Sequence, residues 1–202
     1  MDTNRVGSLL AGKTVLITGA GGSIGVELCR QVASFEPKRL IMLDRDETGL
    51  QHAQLLTYGS GLLESADLVL ADIREADSLD ALFATHRPDV VFHAAALKHL
   101  PMLEKFPDEA WKTNVEGTLN VLNAALKVQV KTFVNISTDK AADPTSVLGH
   151  SKKLGEQLTA WASSQGSGNF LSVRFGNVLG SRGSLVPTLT HMIESGGPVL
   201  IT

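Results

Sequence analysis

The stretch "KTVLITGAGGSIGVELCRQVAS" constrains this chain more than any other. Thr14–Thr18 is a short run of aliphatic and β-branched residues and reads as a buried strand. A tight turn follows, and helical periodicity sets in from about Gly22 to Ala33. Glycines at 19, 22 and 25 give the spacing G-x-x-G-x-x-G, with Gly21 in addition; Ile24 stands where a G-x-G-x-x-G pattern needs its last glycine. A turn without Cβ atoms lets the amides of a helix N-terminus approach a pyrophosphate, since they lack intrahelical partners and the helix dipole favours negative charge there. Standing after a strand and before a helix, Gly19, Gly22, Ser23, Ile24 and Gly25 are candidates for a nucleotide cradle. A purely structural turn is the alternative.

The same alternation continues. "RLIMLDRDE", "ADLVLADI", "DVVFHAAA", "KTFVNIS" and "NFLSVRFGNV" read as strands two to six. Helical stretches separate them: about Glu47 to Tyr58, "SLDALFATHRP" stopped by Pro88, one long region from about Asp108 to Lys127, and Ser146 to Ser163. Short continuous apolar strands alternating with helices predict a doubly wound α/β fold, a parallel sheet covered on both faces. Residues 1–11 read as a lead-in segment and 12–178 as the nucleotide-binding domain with a catalytic segment. Residues 179–202 read as the start of an incomplete second lobe. "SLVPTLTHMIESGGPVLIT" predicts a helix and then an apolar strand on which the chain stops, so truncation is expected, with a natural edge strand as the alternative.

A formal charge of −3 offers no basic excess of the kind a nucleic-acid surface shows, so no nucleic-acid partner is expected. Cys29 is the single cysteine; it excludes an internal disulfide, suits a reducing compartment, and falls within a helical pattern that predicts buried packing. No apolar run approaches the roughly 18 residues of a membrane span. "MDTNRVGSLLAGK" lacks the basic start and apolar core of a signal peptide. A cytoplasmic domain without direct membrane insertion is expected. The histidines show neither H-E-x-x-H nor Cys/His spacing, so no metal is expected.

Asp44 closes the second strand, where a carboxylate accepts hydrogen bonds from adenosine ribose hydroxyls and repels a 2′-phosphate. This favours NAD. Arg45 beside it could pair with that phosphate, which keeps NADP open. Asp72 and Ile73 either receive the adenine, Asp72 accepting from its amino group, or form a strand end with a helix-capping acid. Ala94, Ala95 and Ala96 close strand four with small side chains, suited to a cofactor lying on the backbone or to close helix packing. Lys98 follows as a cofactor contact, a substrate contact or an exposed lysine. Arg174 and Asn177 follow strand six, on the side where ligands bind in such sheets.

The segment "STDKAADPTSVLGHSKK" poses the chemical question. Leu148 and Lys152 stand four apart, on one helix face. In isolation, Asp139-Lys140 reads as a solvated loop pair.

Together the glycine turn, "HAAALKHLPMLE", "NVEGTLNVL", "STDKAADPTS", the residue–x–x–x–Lys pair and "RFGNVLGSRGSLVP" resemble the extended short-chain dehydrogenase/reductases. More narrowly, the chain from about residue 12 onward is similar to the nucleotide-sugar 4,6-dehydratases of capsule, O-antigen and protein-glycosylation pathways. The resemblance implies a Rossmann-like fold and an NAD(P)-dependent hydro-lyase. Its substrate would be UDP-N-acetylglucosamine or a similar UDP-sugar, converted to a 4-keto-6-deoxy sugar. In that chemistry hydride leaves C4 and the ketone acidifies the C5 proton. A base removes this proton while an acid protonates the departing 6-hydroxyl, and hydride returns to C6. A homo-oligomer is expected, and a longer parent protein with a membrane region and this domain on the cytoplasmic side.

By the same resemblance Asp139 is the acid for the 6-oxygen and Lys140 the base at C5. Thr138 can bond the C4 oxygen, Lys152 the nicotinamide ribose, and Asn114 supports the site; Asn177, from its place after strand six, is expected to contact the substrate diphosphate, with a turn-forming residue as the alternative. Lysine can act as a base only where desolvation or a nearby cation lowers its pKa. The wider superfamily carries tyrosine at the position of Leu148, and its phenol takes the proton of the hydroxyl being oxidised. Leu148 is similar to the apolar replacement, usually Met, of the long membrane-linked branch. The expectation is that Asp139, or a water held by Thr138 and Lys152, takes that proton instead. Two alternatives stand beside this reading. One is an epimerase or reductase on the same fold, which needs no second acid–base pair; the other is a non-catalytic NAD(P)-binding module.

Overall fold

Strand β1 (Thr14–Thr18) is buried along its whole length, and its side chains divide between the two faces of a sheet. Leu16 belongs to one core cluster and Val15 and Ile17 to the other, as the period-2 geometry of a strand requires. The computed structural model describes residues 2–166, 168–178, 180 and 185–196. Its sheet adds β2 (Arg39–Asp44), β3 (Leu68–Leu70), β4 (Val90–His93), β5 (Thr132–Thr138) and β6 (Asn169–Phe175). The strands lie in the order β3-β2-β1-β4-β5-β6, and each neighbouring pair is parallel. The doubly wound fold expected from the alternation is therefore the observed one.

Parallel strands need crossovers, and the helices supply both covering layers. Helices α2 (Ser23–Ala33) and α3 (Glu47–Tyr58) pack Val26, Cys29 and Leu50 with Ile17 and Met42 on one face. On the other face, α4 (Ala76–His86), α7 (Thr118–Lys127) and α8 (Val147–Gln165) bring Phe83, Leu122 and Ala162 to Leu43 and Phe133. Cys29 is fully buried, and burial pushes its thiol up to about 12, in keeping with the packing role expected of it. Caps mark the helix ends: Asp46 accepts from the Thr48 amide, and Gly59 closes α3 with φ +70°.

Several elements depart from expectation. A first helix, α1 (Thr3–Leu10), occupies the lead-in segment and is started by Asp2, which accepts from the Arg5 amide. A short helix, α5 (Leu100–Lys105), precedes the region from about Asp108 to Lys127 that reads as one long helix, and that region is the end of α6 (Pro107–Ala110), a π-helical segment (Trp111–Gly117) and then α7. Pro107 has no amide to continue α5, so a new turn starts there. The π segment inserts one extra residue per turn and carries no sequence signature of its own. Arg174 lies within β6 rather than after it. Helix α9 (Leu185–Glu194) matches the helix read in the tail; the strand read over 198–202 lies outside the described residues. Among the described residues, no helix is long and apolar enough to cross a membrane.

Phe133 is fully buried and stacks on Phe170 at 5.3 Å between ring centroids. Phe133→Ala is expected to cost about 3–5 kcal/mol of unfolding free energy, against about 0.5 kcal/mol for a surface change such as Glu36→Ala. Urea unfolding followed by circular dichroism checks this; equal midpoints for the two variants would contradict the core assignment.

Candidate functional site

The strands end polar or small at one edge of the sheet, and a cleft of about 760 Å³ opens there. Its first wall is the turn between β1 and α2. Gly19 has φ +69°, and a Cβ on it would stand 2.5 Å from the Ala95 amide nitrogen. A Cβ on Gly25 would stand 2.0 Å from the Gly19 carbonyl oxygen, so α2 can close on the turn only through glycine. The extra glycine also has a reason: Gly21 lies against the Gly49 backbone of α3, with a Cβ distance of 2.6 Å. Gly22 caps α2 without a side chain, and Gly22, Ser23 and Ile24 line the cleft, so the positive end of the helix dipole meets that space.

Asp44 lies at the end of β2. Its Oδ2 accepts from the Gly21 amide at 2.8 Å and its Oδ1 from the Asp46 amide at 3.0 Å, which joins the acid to the glycine turn. Asp72 is engaged from several sides. The Arg74 amide and guanidinium donate to it, and Arg45 approaches to 3.5 Å. Burial raises the Asp72 pKa, but the two arginines outweigh that and leave it below the ordinary value. Ile73 is buried and meets the π segment at Gly117, where a Cβ would stand 2.7 Å from its Cδ1. Ala94, Ala95, Ala96 and Lys98 continue the lining after β4.

At the far end β5 delivers Thr138 and a 3-10 turn, Asp139–Ala141. The Thr138 hydroxyl donates to Asp139 Oδ1 at 2.9 Å, and Lys140 Nζ stands 3.2 Å from the same oxygen and 3.2 Å from Asn177 Oδ1. These bonds, that of the Thr138 hydroxyl first, lower the Asp139 pKa and hold the carboxyl ionised. Helix α8 fixes the turn from behind. A Cβ on Gly149 would come within 2.6 Å of the Lys140 carbonyl oxygen, so helix and turn are in backbone contact. Leu148 is buried against Leu103 and Ala110 while lining the cleft. The residue at the tyrosine position is thus a packing residue of the wall.

Lys152, one turn along α8, is buried and donates to the Ile136 carbonyl at 2.7 Å. Burial brings its pKa down to about 8, although Glu156 pulls the other way. Glu156 in turn accepts from Ser137 at 2.6 Å and from both sides of the Arg174 guanidinium at 2.8 and 2.7 Å. Arg174 therefore anchors an acid of α8 rather than lining the cleft, and Asp139 and Asn114 also stand outside the lining. Asn114 instead clasps the loop after β4, accepting from the Leu97 amide at 2.8 Å and donating to its carbonyl at 3.0 Å. The other residues singled out from the sequence share the one cleft. Ser137 and Glu156 are not singled out by the sequence, because their partners are distant in it; the repeated (i, i+4) spacing Leu148–Lys152–Glu156 is the available signal.

The profile of the polysaccharide biosynthesis protein family matches residues 15–202, and the chain belongs to that family. Along its full length it is 42% identical to the probable polysaccharide biosynthesis protein EpsC of Bacillus subtilis, of which it covers 34%. It is 39% identical to a UDP-glucose 4-epimerase of Rickettsia prowazekii, over 94% of this chain and 56% of that protein. A UDP-N-acetylglucosamine 4,6-dehydratase (inverting) of Campylobacter jejuni is 35% identical over the same shares. Among solved structures, Pen from Bacillus thuringiensis superposes with a TM-score of 0.82 at 34% identity, over 92% of this chain and 57% of that one. The chain spans between a third and somewhat more than half of these relatives.

The depressed pKa of Lys152 has a stability consequence. Below about pH 8 the folded protein holds a buried charge; between about 8 and 10.5 unfolding takes up a proton, so stability rises with pH. The drop from 10.5 to about 8 corresponds to about 3 kcal/mol. Lys152→Met is expected to be more stable than wild type near neutral pH, with the advantage shrinking across that window. Urea titrations at several pH values check this, and a constant difference would contradict it.

Proposed function

We propose that the cleft binds NAD and that the protein dehydrates a UDP-sugar, UDP-N-acetylglucosamine or a close relative, to its 4-keto-6-deoxy form. The observation that carries this reading is the Thr138–Asp139–Lys140 turn: Thr138 and Lys140 line one end of the cleft beside an apolar Leu148, and both are bonded to the Asp139 carboxylate just outside the lining.

The glycine turn fits a dinucleotide because its approach to Ala95 and Gly49 leaves backbone, not side chains, along that wall. Gly19, Gly22, Ser23, Ile24 and Gly25 would take the pyrophosphate and Asp44 the adenosine ribose. Ile73, with Asp72, would border the adenine; Ala94, Ala95, Ala96 and Lys98 would form the floor, and Lys152 would reach the nicotinamide ribose. Arg45 is drawn toward Asp72, which supports NAD over its 2′-phosphorylated form. When bound, the nicotinamide supplies reversible hydride storage, so that no net oxidation of the sugar is required.

The chain's own residues handle the protons. Ionised Asp139 takes the proton of the C4 hydroxyl, the task of the absent phenol, with Thr138 orienting the oxygen. Asp139 then gives that proton to the departing 6-oxygen, which leaves as water. Lys140 acts as the free amine: it takes the C5 proton to become an ammonium and later delivers one of its solvent-exchangeable protons back to C5. One proton leaves with the water and one comes back, so the two groups end as they began. Asn177 accepts from Lys140 and would contact the substrate diphosphate. An epimerase reading has the Rickettsia relative in its favour, but leaves a paired acid and amine without a task.

The test is incubation of the full-length protein with UDP-N-acetylglucosamine in deuterated water, followed by NMR. A 4-keto-6-deoxy product carrying deuterium at C5 is expected. An epimer that keeps its 6-hydroxyl would overturn the proposal.

A further inference from the structure

His93 is a fully buried titratable side chain with no part in the proton transfers above. It ends β4 with both ring nitrogens occupied: Nδ1 is 2.7 Å from the Thr18 hydroxyl and Nε2 is 2.9 Å from the Thr118 hydroxyl. The proton directions follow from the neighbours. The Thr118 hydroxyl gives its one proton to the Asn114 carbonyl at 2.8 Å, so it accepts from His93 Nε2–H. Nδ1 is then bare and accepts from Thr18, whose oxygen in turn receives the Ala95 amide at 3.4 Å. Burial, with Lys152 adding like charge, pushes the His93 pKa down to about 3, so the ring is neutral.

The chain continues at both ends into the cleft. Thr18 immediately precedes Gly19, and Ala95 is the residue against which Gly19 is pressed. Asn114 holds Leu97 through two bonds and donates to Ser151 at 3.0 Å. Ser151 bonds the Leu148 carbonyl at 2.9 Å and stands next to Lys152. One unbroken series of buried polar groups thus runs from the glycine turn, through the sheet, to the helix of Leu148 and Lys152. Thr18, His93, Asn114 and Thr118 are each at most 2% exposed, so water cannot substitute for a lost member.

We propose that His93, as the Nε2–H tautomer, is a positioning residue that sets the glycine turn, the loop over Ala95–Leu97 and helix α8 in register with one another. The pyrophosphate wall and Lys152 are then adjusted together, which serves a ligand spanning both. This role rests on the dinucleotide reading of the cleft. A neutral histidine suits it because one ring offers an acceptor and a donor on opposite sides, which no hydroxyl or aliphatic residue does.

The test combines nitrogen-15 NMR of the histidine rings with NAD titration calorimetry and amide exchange. In the wild type the expected signature is a bare Nδ1 and a protonated Nε2 at neutral pH. Thr118→Val keeps the shape but removes the acceptor. It is expected to speed exchange of the Leu97 amide about tenfold and to weaken NAD binding about tenfold, the effect of one unpaired buried donor. His93→Phe should weaken NAD binding at least as much, whereas His93→Gln, which keeps a donor and an acceptor, should recover most of the affinity. An Nδ1–H tautomer, an imidazolium, or an unchanged Leu97 exchange rate in Thr118→Val would overturn the proposal, and none of these depends on whether His93→Phe folds. Wild-type protein that binds no NAD would instead refute the dinucleotide reading, leaving tautomer and exchange to decide the positioning role.

Discussion

The exits of β1 and β4 lie side by side, and how closely they approach determines the rest of the site. Thr18 pairs with His93 in the parallel register, and the segments that follow turn to opposite sides of the sheet. The first enters α2 through the glycine turn; the second runs through the alanines toward Leu97. They can separate only after touching, and Gly19 against Ala95 is that contact. A side chain at either glycine 19 or 25 would push the turn away from the sheet. The crevice between the two exits is where ligands settle in doubly wound sheets, because strand order reverses there and the crossovers leave a gap. Asp44, Asp72 and the β5 turn are spaced along the same edge by strand register alone.

What was legible beforehand is what depends on local spacing. Residues 14–33 announce strand, turn and helix through a change of period, and Asp44 is found by counting to the end of the next strand. The parallel sheet follows from repetition of that pattern. What was not legible depends on partners far along the chain. Glu156 gains its role from Ser137 and Arg174, and Arg174 reads as a ligand contact until its carboxylate is seen. His93, standing before three alanines at the end of a strand, carries no signal in the sequence of the two threonines that bond its ring. The π segment at Asn114 is a one-residue change in backbone bonding, invisible to a pattern that drifts by less than that over two turns. Functional departures from regular geometry are where such reasoning is expected to fail.

Leu148 changes meaning once placed. From the sequence it marks a missing phenol; in the fold it is a wall residue packed on Leu103 and Ala110, on a helix that presses Gly149 against Lys140. The same helix thereby supports the acid–amine turn while presenting no proton acceptor of its own at position 148. Asp139, held ionised by Thr138 and Lys140, is in the state required of an acceptor at the outset. On the proposed reading, a carboxylate that starts empty and ends empty serves two oxygens in succession, and no separate phenol is needed.

Single-turnover absorbance of the reduced nicotinamide in Asp139→Asn tests most directly whether this one carboxylate takes the C4 proton and passes it to the 6-oxygen. Mixing the variant, loaded with NAD, with UDP-N-acetylglucosamine should give neither transient reduced cofactor nor loss of water, because the C4 proton has nowhere to go. Normal transient reduction with water loss abolished would contradict the account, since some other group would then be taking the first proton.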